Sequence, residues 1–440
     1  MTSTRDAFLA AAMWHGSLAP AEAILAAHPE LASSDIHTAA VLGDDAGVRR
    51  FLIQDPTSAT RSSAPHGGDA LNYLALSKYL RLDRARTPAF LRAATALLDA
   101  GADPNTGFWT TGQHPERETA LYGAAGVAHH VELTRLLLER GADPNDGEAV
   151  YHSPETDNNG AMQLLVETGK VTAEHLSLML IRKHDWHDYE GVKYLLARGA
   201  DPKYRRRRGW MAIHHAIARN NSLKIIELLL DHGADPTGRE DEDGLSAVAR
   251  AARRGRGDLL ALFAERGFPI ALDGVDRLIA ACAMDDAATI RDVRAREPNL
   301  VRELLQQGST LLSDFAGTWN TAGVRHLLDL GVPAGAVYEG DGYFDIAKNS
   351  TALHVAAWQL QPAIVQLLLE RDAPVDPKDT KGRTPLTLAV KACVDSYWTY
   401  RRTPEPARLL LDAGASAREA SYPSGYDPVD ALLAAHGAER

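Results

Sequence analysis

Apolar residues recur along this chain at helical spacing, in short runs that come in pairs. Between Met211 and Gly233 the positions Ile213, Ile217, Leu223, Ile226, Leu229 and Leu230 carry the pattern, which breaks at Asn220-Asn221. This predicts two short amphipathic helices joined by a turn. Gly233 supplies a residue suited to the left-handed region just past the second helix, and Pro236 stops the helix from resuming. The same ending, Gly-Ala-Asp-Pro, stands at Gly101–Pro104, Gly141–Pro144, Gly199–Pro202 and Gly233–Pro236. Self-similarity on that scale predicts a solenoid, in which each unit buries its apolar faces by stacking on its neighbours.

The helix openings carry a second signature. Thr351-Ala352-Leu353-His354-Val355-Ala356-Ala357 and Asp379-Thr380-Lys381-Gly382-Arg383-Thr384-Pro385-Leu386 place a capping Thr before the helix, Pro at its first position in one case, and small residues where helices meet closely. These residues resemble the ankyrin repeat family, whose first helix opens Thr-Pro-Leu-His-x-Ala-Ala. The resemblance implies an all-α solenoid of about twelve helix-turn-helix units with hairpin or loop fingers. Unit ends are expected also at Ala27-His28-Pro29, Gln54-Asp55-Pro56, Glu167-Thr168-Gly169, Arg266-Gly267-Phe268-Pro269, Glu297-Pro298-Asn299, Arg371-Asp372-Ala373-Pro374 and Ala413-Gly414-Ala415. The units between Gly141 and Gly199 are short for the family and are expected to lack a full hairpin. Those between Gly233 and Gly331 are degenerate. The expected organisation is one solenoid over residues 1–440: an N-terminal capping unit at 1–33, central repeats at 34–418 and a C-terminal capping helix at 419–440. It leaves no room for a separate catalytic domain.

Composition narrows the function classes. With 47 Lys and Arg against 58 Asp and Glu, the net charge is −11, which opposes general attraction to nucleic acid or an anionic membrane. Two cysteines, Cys282 and Cys393, are too few for a disulfide framework or a thiolate zinc site. No apolar run reaches the length of a membrane span, and the start of the chain lacks a signal-peptide pattern. A cytoplasmic protein is expected, with no membrane and no nucleic-acid partner. The Ala- and Arg-rich composition points to a bacterial source. A monomer is expected, with the apolar Ala7–Ala12 run leaving end-to-end association open.

Candidate binding residues sit where length has been added, because repeat cores accept insertions only in their loops. Thr106–Glu118 carries Phe108 and Trp109; Tyr338–Ser350 carries Tyr338, Tyr343 and Phe344; Asp395–Pro404 carries Tyr397, Trp398 and Tyr400; Leu80–Thr87 separates the helices of its unit. Trp14 and Trp358 follow the Ala-rich part of a first helix, the surface that lines the concave face in the family. Aromatic and Arg side chains dominate binding hot spots, but each of these rings also suits a local plug or packing between units, as do Trp186, Trp210 and Trp319. Arg205, Arg206, Arg207 and Arg208 form a candidate anion site. At the 34-residue step Arg206, Arg207 and Arg208 correspond to Glu240, Asp241 and Glu242 of the next finger, and an internal ion-pair network is the simpler reading.

His184-Asp185-Trp186-His187-Asp188 is the one cluster with metal-like content, and no His-Glu-x-x-His pattern supports it. His37, His214 and His354 occupy the family's helix-opening position, where the resemblance implies local hydrogen bonds. No phosphate loop, dinucleotide fingerprint or nucleophile elbow is present. The expected function is an intracellular protein-interaction scaffold or adaptor without cofactor or catalytic residues, its protein partner unidentified. The alternative is a metal-dependent or unorthodox enzyme using His184–Asp188.

Overall fold

A computed structural model describes residues 3–205, 210–238 and 244–438, almost all of them in short helices and the turns between them. The chain forms two compact units, one of Met1–Arg207 with Glu227–Ala234 and the other of Arg208–Ile226 with Asp235–Arg440. In both, helices come in antiparallel pairs, such as Ile36–Leu42 with Asp45–Gln54 and Ala352–Trp358 with Pro362–Leu369. First helices stack on first helices: Ile36–Leu42 packs on Ala70–Ala75, and Ala352–Trp358 lies between Gly308–Gly317 and Pro385–Val394. Their small residues permit this. Ala39, Ala40, Ala356 and Ala357 are wholly buried, as an Ala-rich inner layer requires.

The recurrent Gly-Ala-Asp-Pro phrase is accounted for atom by atom. Gly101, Gly141, Gly199 and Gly233 take φ between 91 and 101°, a region a Cβ disfavours. The next amide then turns back to a carbonyl of the preceding helix: Ala102 to Leu97 (3.0 Å), Ala142 to Leu137 (2.9 Å), Ala200 to Leu195 (3.1 Å) and Ala234 to Leu229 (3.0 Å). This is the helix-ending pair that satisfies orphan carbonyls. The Asp carboxylate accepts from the amide two residues on, at Asn105 (2.9 Å), Asn145 (2.9 Å), Lys203 (2.8 Å) and Thr237 (2.8 Å). Asn105 also ties its turn to the next, donating to the Gly141 carbonyl (3.2 Å) and accepting from the Asp143 amide (2.8 Å).

The helix-opening histidines staple neighbouring pairs. His354 Nδ1 accepts from the Thr351 amide (3.0 Å) and Nε2 donates to the Arg383 carbonyl (3.1 Å); burial lowers its pKa, consistent with a neutral ring. His37 Nε2 donates to the Arg61 carbonyl (2.8 Å).

Two inserted fingers form strands: β1 (Gly107–Trp109) pairs antiparallel with β2 (Arg117–Thr119), and β3 (Val337–Tyr338) with β4 (Ser350–Thr351). No strand is found among the described residues between Gly141 and Gly199. Two details differ from the sequence reading. Leu80–Thr87 is partly helical, since the first helix of that pair breaks and continues as Lys78–Leu82. An additional helix, Pro298–Gln306, follows Ala287–Arg296 directly, because Pro298 begins a helix as readily as it ends one.

Candidate functional site

The aromatic insertions separate into buried plugs and exposed surface. In the first finger the period-two alternation of β1 buries Phe108 and leaves Trp109 64% exposed. Phe108 stacks on His66 (5.5 Å), and Trp14 meets both edge-on, at 4.6 Å from His66 and 5.7 Å from Phe108. The Trp14 indole donates to the buried Glu118 carboxyl (3.3 Å), whose pKa burial raises. Trp14 and Phe108 therefore hold their finger down, and of the finger's two rings Trp109 is the one that reaches solvent.

In the second unit, the finger Tyr338–Ser350 folds inward. Tyr338, Phe344 and Trp358 are buried, and the Trp358 indole donates to the Phe344 carbonyl (2.7 Å). Tyr343 is half-buried with the Arg219 guanidinium 4.0 Å above its ring. Under the finger lies an ionic group: Arg254 pairs with Asp314 (2.8 Å) and approaches Asp341 (3.6 Å). Burial lifts the Asp314 carboxyl to about 6 against the pull of Arg254. The adjoining cleft of about 20 Å³ holds roughly one water, too small for a substrate. A larger hollow of about 410 Å³ borders the outer side of helix Asp45–Gln54, where Asp45, Arg49 and Arg50 are its charged lining.

The third insertion makes the exposed surface. Trp398 packs edge-on against Trp358 (5.4 Å) and donates to its carbonyl (2.7 Å). From there Arg401 lies over Trp319, 4.7 Å from the ring centroid, with Trp398 at 5.7 Å and Tyr400 at 5.9 Å. The insertion thus leans back across two helix pairs, from the turn after Pro385–Val394 to the turn after Gly308–Gly317. Trp319 is 55% exposed and Tyr400 83%, so these two rings face solvent on either side of Arg401, and Tyr397, 79% exposed, joins them through Trp398 (6.4 Å). The predicted residues Tyr397, Trp398 and Tyr400 come together here. Trp319, which the sequence favoured for packing between units, and Arg401, which it did not single out, complete the group, because the turns that carry them lie far apart in the chain.

The remaining candidates are occupied otherwise or lie outside the described residues. Arg206, Arg207, Arg208, Glu240, Asp241 and Glu242 fall outside them, while Arg205 is exposed. Around His184–Asp188 the carboxylates serve the fold. Asp185 pairs with Arg182 (2.5 Å); Asp188 caps helix Tyr189–Ala197 at the Gly191 amide (3.0 Å), accepts from Asn159 (2.6 Å) and pairs with Lys183 (2.9 Å). Among the described residues no group of three His, Cys, Asp or Glu side chains is arranged to hold a metal ion. Nor is any helix among them long and apolar enough to cross a membrane.

The model of ankyrin repeats in three copies matches residues 178–273, and that of the single ankyrin repeat matches 116–147 and 348–380. Serine/threonine-protein kinase 12 of Arabidopsis thaliana is 41% identical over 83 residues, 19% of this chain and 16% of the kinase. The solved ankyrin repeat domain of human ASB11 matches at 18% identity and a TM-score of 0.28, over 59% of this chain and 98% of that one.

Proposed function

This chain is an ankyrin-repeat protein, and from that premise we propose that it is a scaffold or adaptor that grips a protein partner through the aromatic surface of its second unit. Ankyrin repeats form protein-interaction domains. The observation that favours this surface is the solvent-facing pair Trp319 and Tyr400 at Arg401, with exposed Tyr397 beside it on Trp398, resting on the buried Trp358 and the half-buried Trp398. Stiff aromatic rings on a packed base lose little conformational freedom on binding, and Trp, Tyr and Arg are enriched in hot spots. Several buried or half-buried charges serve the fold: Lys183 pairs with Asp188 and Arg254 with Asp314, and Asp69 caps its helix at the Asn72 amide. Trp109 offers a second contact point on the other unit.

A photo-cross-linking residue at Tyr397 tests the reading, with one at Ile53, 84% exposed on an outer helix, as control. A discrete protein adduct from Tyr397 and none from Ile53 is expected in the native cell. The same adducts from both positions, or none from either, contradict the proposal.

A further inference from the structure

We propose that the partner segment presents a carboxylate, from Glu or Asp, to Arg401, with apolar side chains lying on Trp319 and Tyr400; this rests on the reading above. Many cations of the second unit meet carboxylates. Arg371 meets Asp329 (2.8 Å), Arg383 meets Asp379 (2.8 Å) and Asp345 (2.9 Å), Arg408 meets Glu405 (2.5 Å) and Asp412 (2.6 Å), and Lys391 meets Asp345 (3.0 Å). Arg401 makes no ion pair among the described residues. Its Nη2 donates to the neutral Gln359 Oε1 (3.3 Å), and its Nε is buried without an acceptor.

Half-burying a guanidinium against three rings removes water from it, and no carboxylate among the described residues compensates. Burial accordingly depresses its pKa, with Tyr400 alone opposing. The rings supply cation–π attraction, which holds the group in place but gives its N–H groups no anionic acceptor. Arg402, next in sequence, likewise has no ion pair among the described residues and lies over Tyr426 (4.4 Å). An acidic protein, at net charge −11, therefore keeps two adjacent arginines without carboxylate partners among the described residues, beside an exposed aromatic surface.

A carboxylate accepts the two parallel N–H bonds a guanidinium offers, and low-dielectric aromatic walls strengthen the pair. The overall negative charge disfavours a nucleic acid as the source of the anion, since every other phosphate on that polymer is repelled. An acidic residue within an otherwise apolar peptide meets both the charge and the rings.

The probe is a pair of immobilised hexapeptide libraries, identical except for Glu or Gln at the third position, with a single-stranded oligothymidylate as a third arm. The full chain and the Arg401→Gln, Arg401→Lys and Trp319→Ala variants are applied to each, their folding checked by circular dichroism. The parent should bind the Glu library at least about tenfold more tightly than the Gln library, as a charge-assisted bidentate pair predicts. Arg401→Gln should level the two, Arg401→Lys keep part of the preference, and Trp319→Ala weaken both arms while the preference persists. Equal binding of both libraries by the parent, an acid preference that survives Arg401→Gln, or tighter binding of the oligothymidylate overturns the proposal. Binding to both libraries without preference, together with a Tyr397 adduct, sinks only this inference. Silence toward both libraries together with absent adducts sinks the binding surface itself.

Discussion

Lys183 is wholly buried and its ammonium has one anionic partner, Asp188, at 2.9 Å. It also donates to the carbonyls of Pro154 (3.2 Å) and Thr156, and its stem passes so close to Gly191 that a Cβ there would meet Cε at 2.3 Å. Asp188→Asn keeps a side-chain oxygen to cap Gly191 but removes the charge. Breaking a buried pair from one side costs about 3–5 kcal/mol, and the two carbonyls retained by Lys183 put the expected loss near the lower limit, about 3 kcal/mol. Lys183→Met leaves the partly exposed Asp188 with Asn159 and the Gly191 amide, so about 1–2 kcal/mol is expected. Removing both charges should cost no more than the Met variant alone, a coupling of about 3 kcal/mol. Urea unfolding at pH 7, followed by far-ultraviolet circular dichroism, measures each stability. Hydrogen exchange in helix Tyr189–Ala197 localises the effect. The pH dependence has a defined sign: Asp188 is held below the ordinary carboxylate range in the folded state, so its contribution is present above about pH 4 and fades as pH falls through the depressed value. The acid limb should flatten in Asp188→Asn. A loss below about 1 kcal/mol for that variant, or additive single effects, refutes a structural ion pair here and reopens His184–Asp188 to another role.

Three further outcomes follow from the geometry. His152 lies between Glu155 (2.8 Å) and Glu148 (3.4 Å), and although burial opposes charging, these carboxylates raise its pKa to about 9. Its stabilisation, at most about 3 kcal/mol and less after solvent screening, is full below pH 6.5 and lost as pH rises through about 9; His152→Gln should remove that stretch of the stability profile, and an unchanged profile counts against the assignment. A Cβ on Gly257 would meet the Ala283 carbonyl oxygen at 2.0 Å, a backbone atom that cannot step aside. Gly257→Ala should destabilise by about 2 kcal/mol or more in the same urea assay, and a neutral result would mean the two helix pairs are not packed this closely. Burial raises the Cys282 thiol to about 12 and Cys393 to about 11, so both should resist iodoacetamide at pH 8 until denaturant is added, and rapid native labelling of either contradicts the packing.

The fold was legible because its signals are local. Gly233, the Ala after it and the Asp after that each act within six residues, and the Thr351–His354 opening is equally short-range, so their meaning survives without knowledge of the neighbours. The surface was legible only in part. Tyr397, Trp398 and Tyr400 stood out as an insertion, but whether a ring plugs or protrudes depends on which pair its loop leans toward. Tyr338, Phe344 and Trp358 are buried on that account, while in the first finger the alternation of β1 buries Phe108 and exposes Trp109. Arg401 had no sequence signature at all: its distinction is partial burial against three rings with no carboxylate among the described residues, visible only once the surrounding groups are placed. The Arg254–Asp314–Asp341 group was equally hidden, its members 60 and 27 residues apart and each ordinary alone. The one hint was that Asp341 sits in an insertion.

The central claim is that the second unit's aromatic surface carries the binding energy. Its most direct measurement is titration calorimetry of the partner captured at Tyr397 against the parent and a Trp319→Ala/Tyr400→Ala double variant of unchanged melting temperature. Hot-spot truncations of about 2 kcal/mol each predict an affinity loss well beyond tenfold. An affinity within twofold of the parent would place the binding energy elsewhere on the molecule and contradict the account.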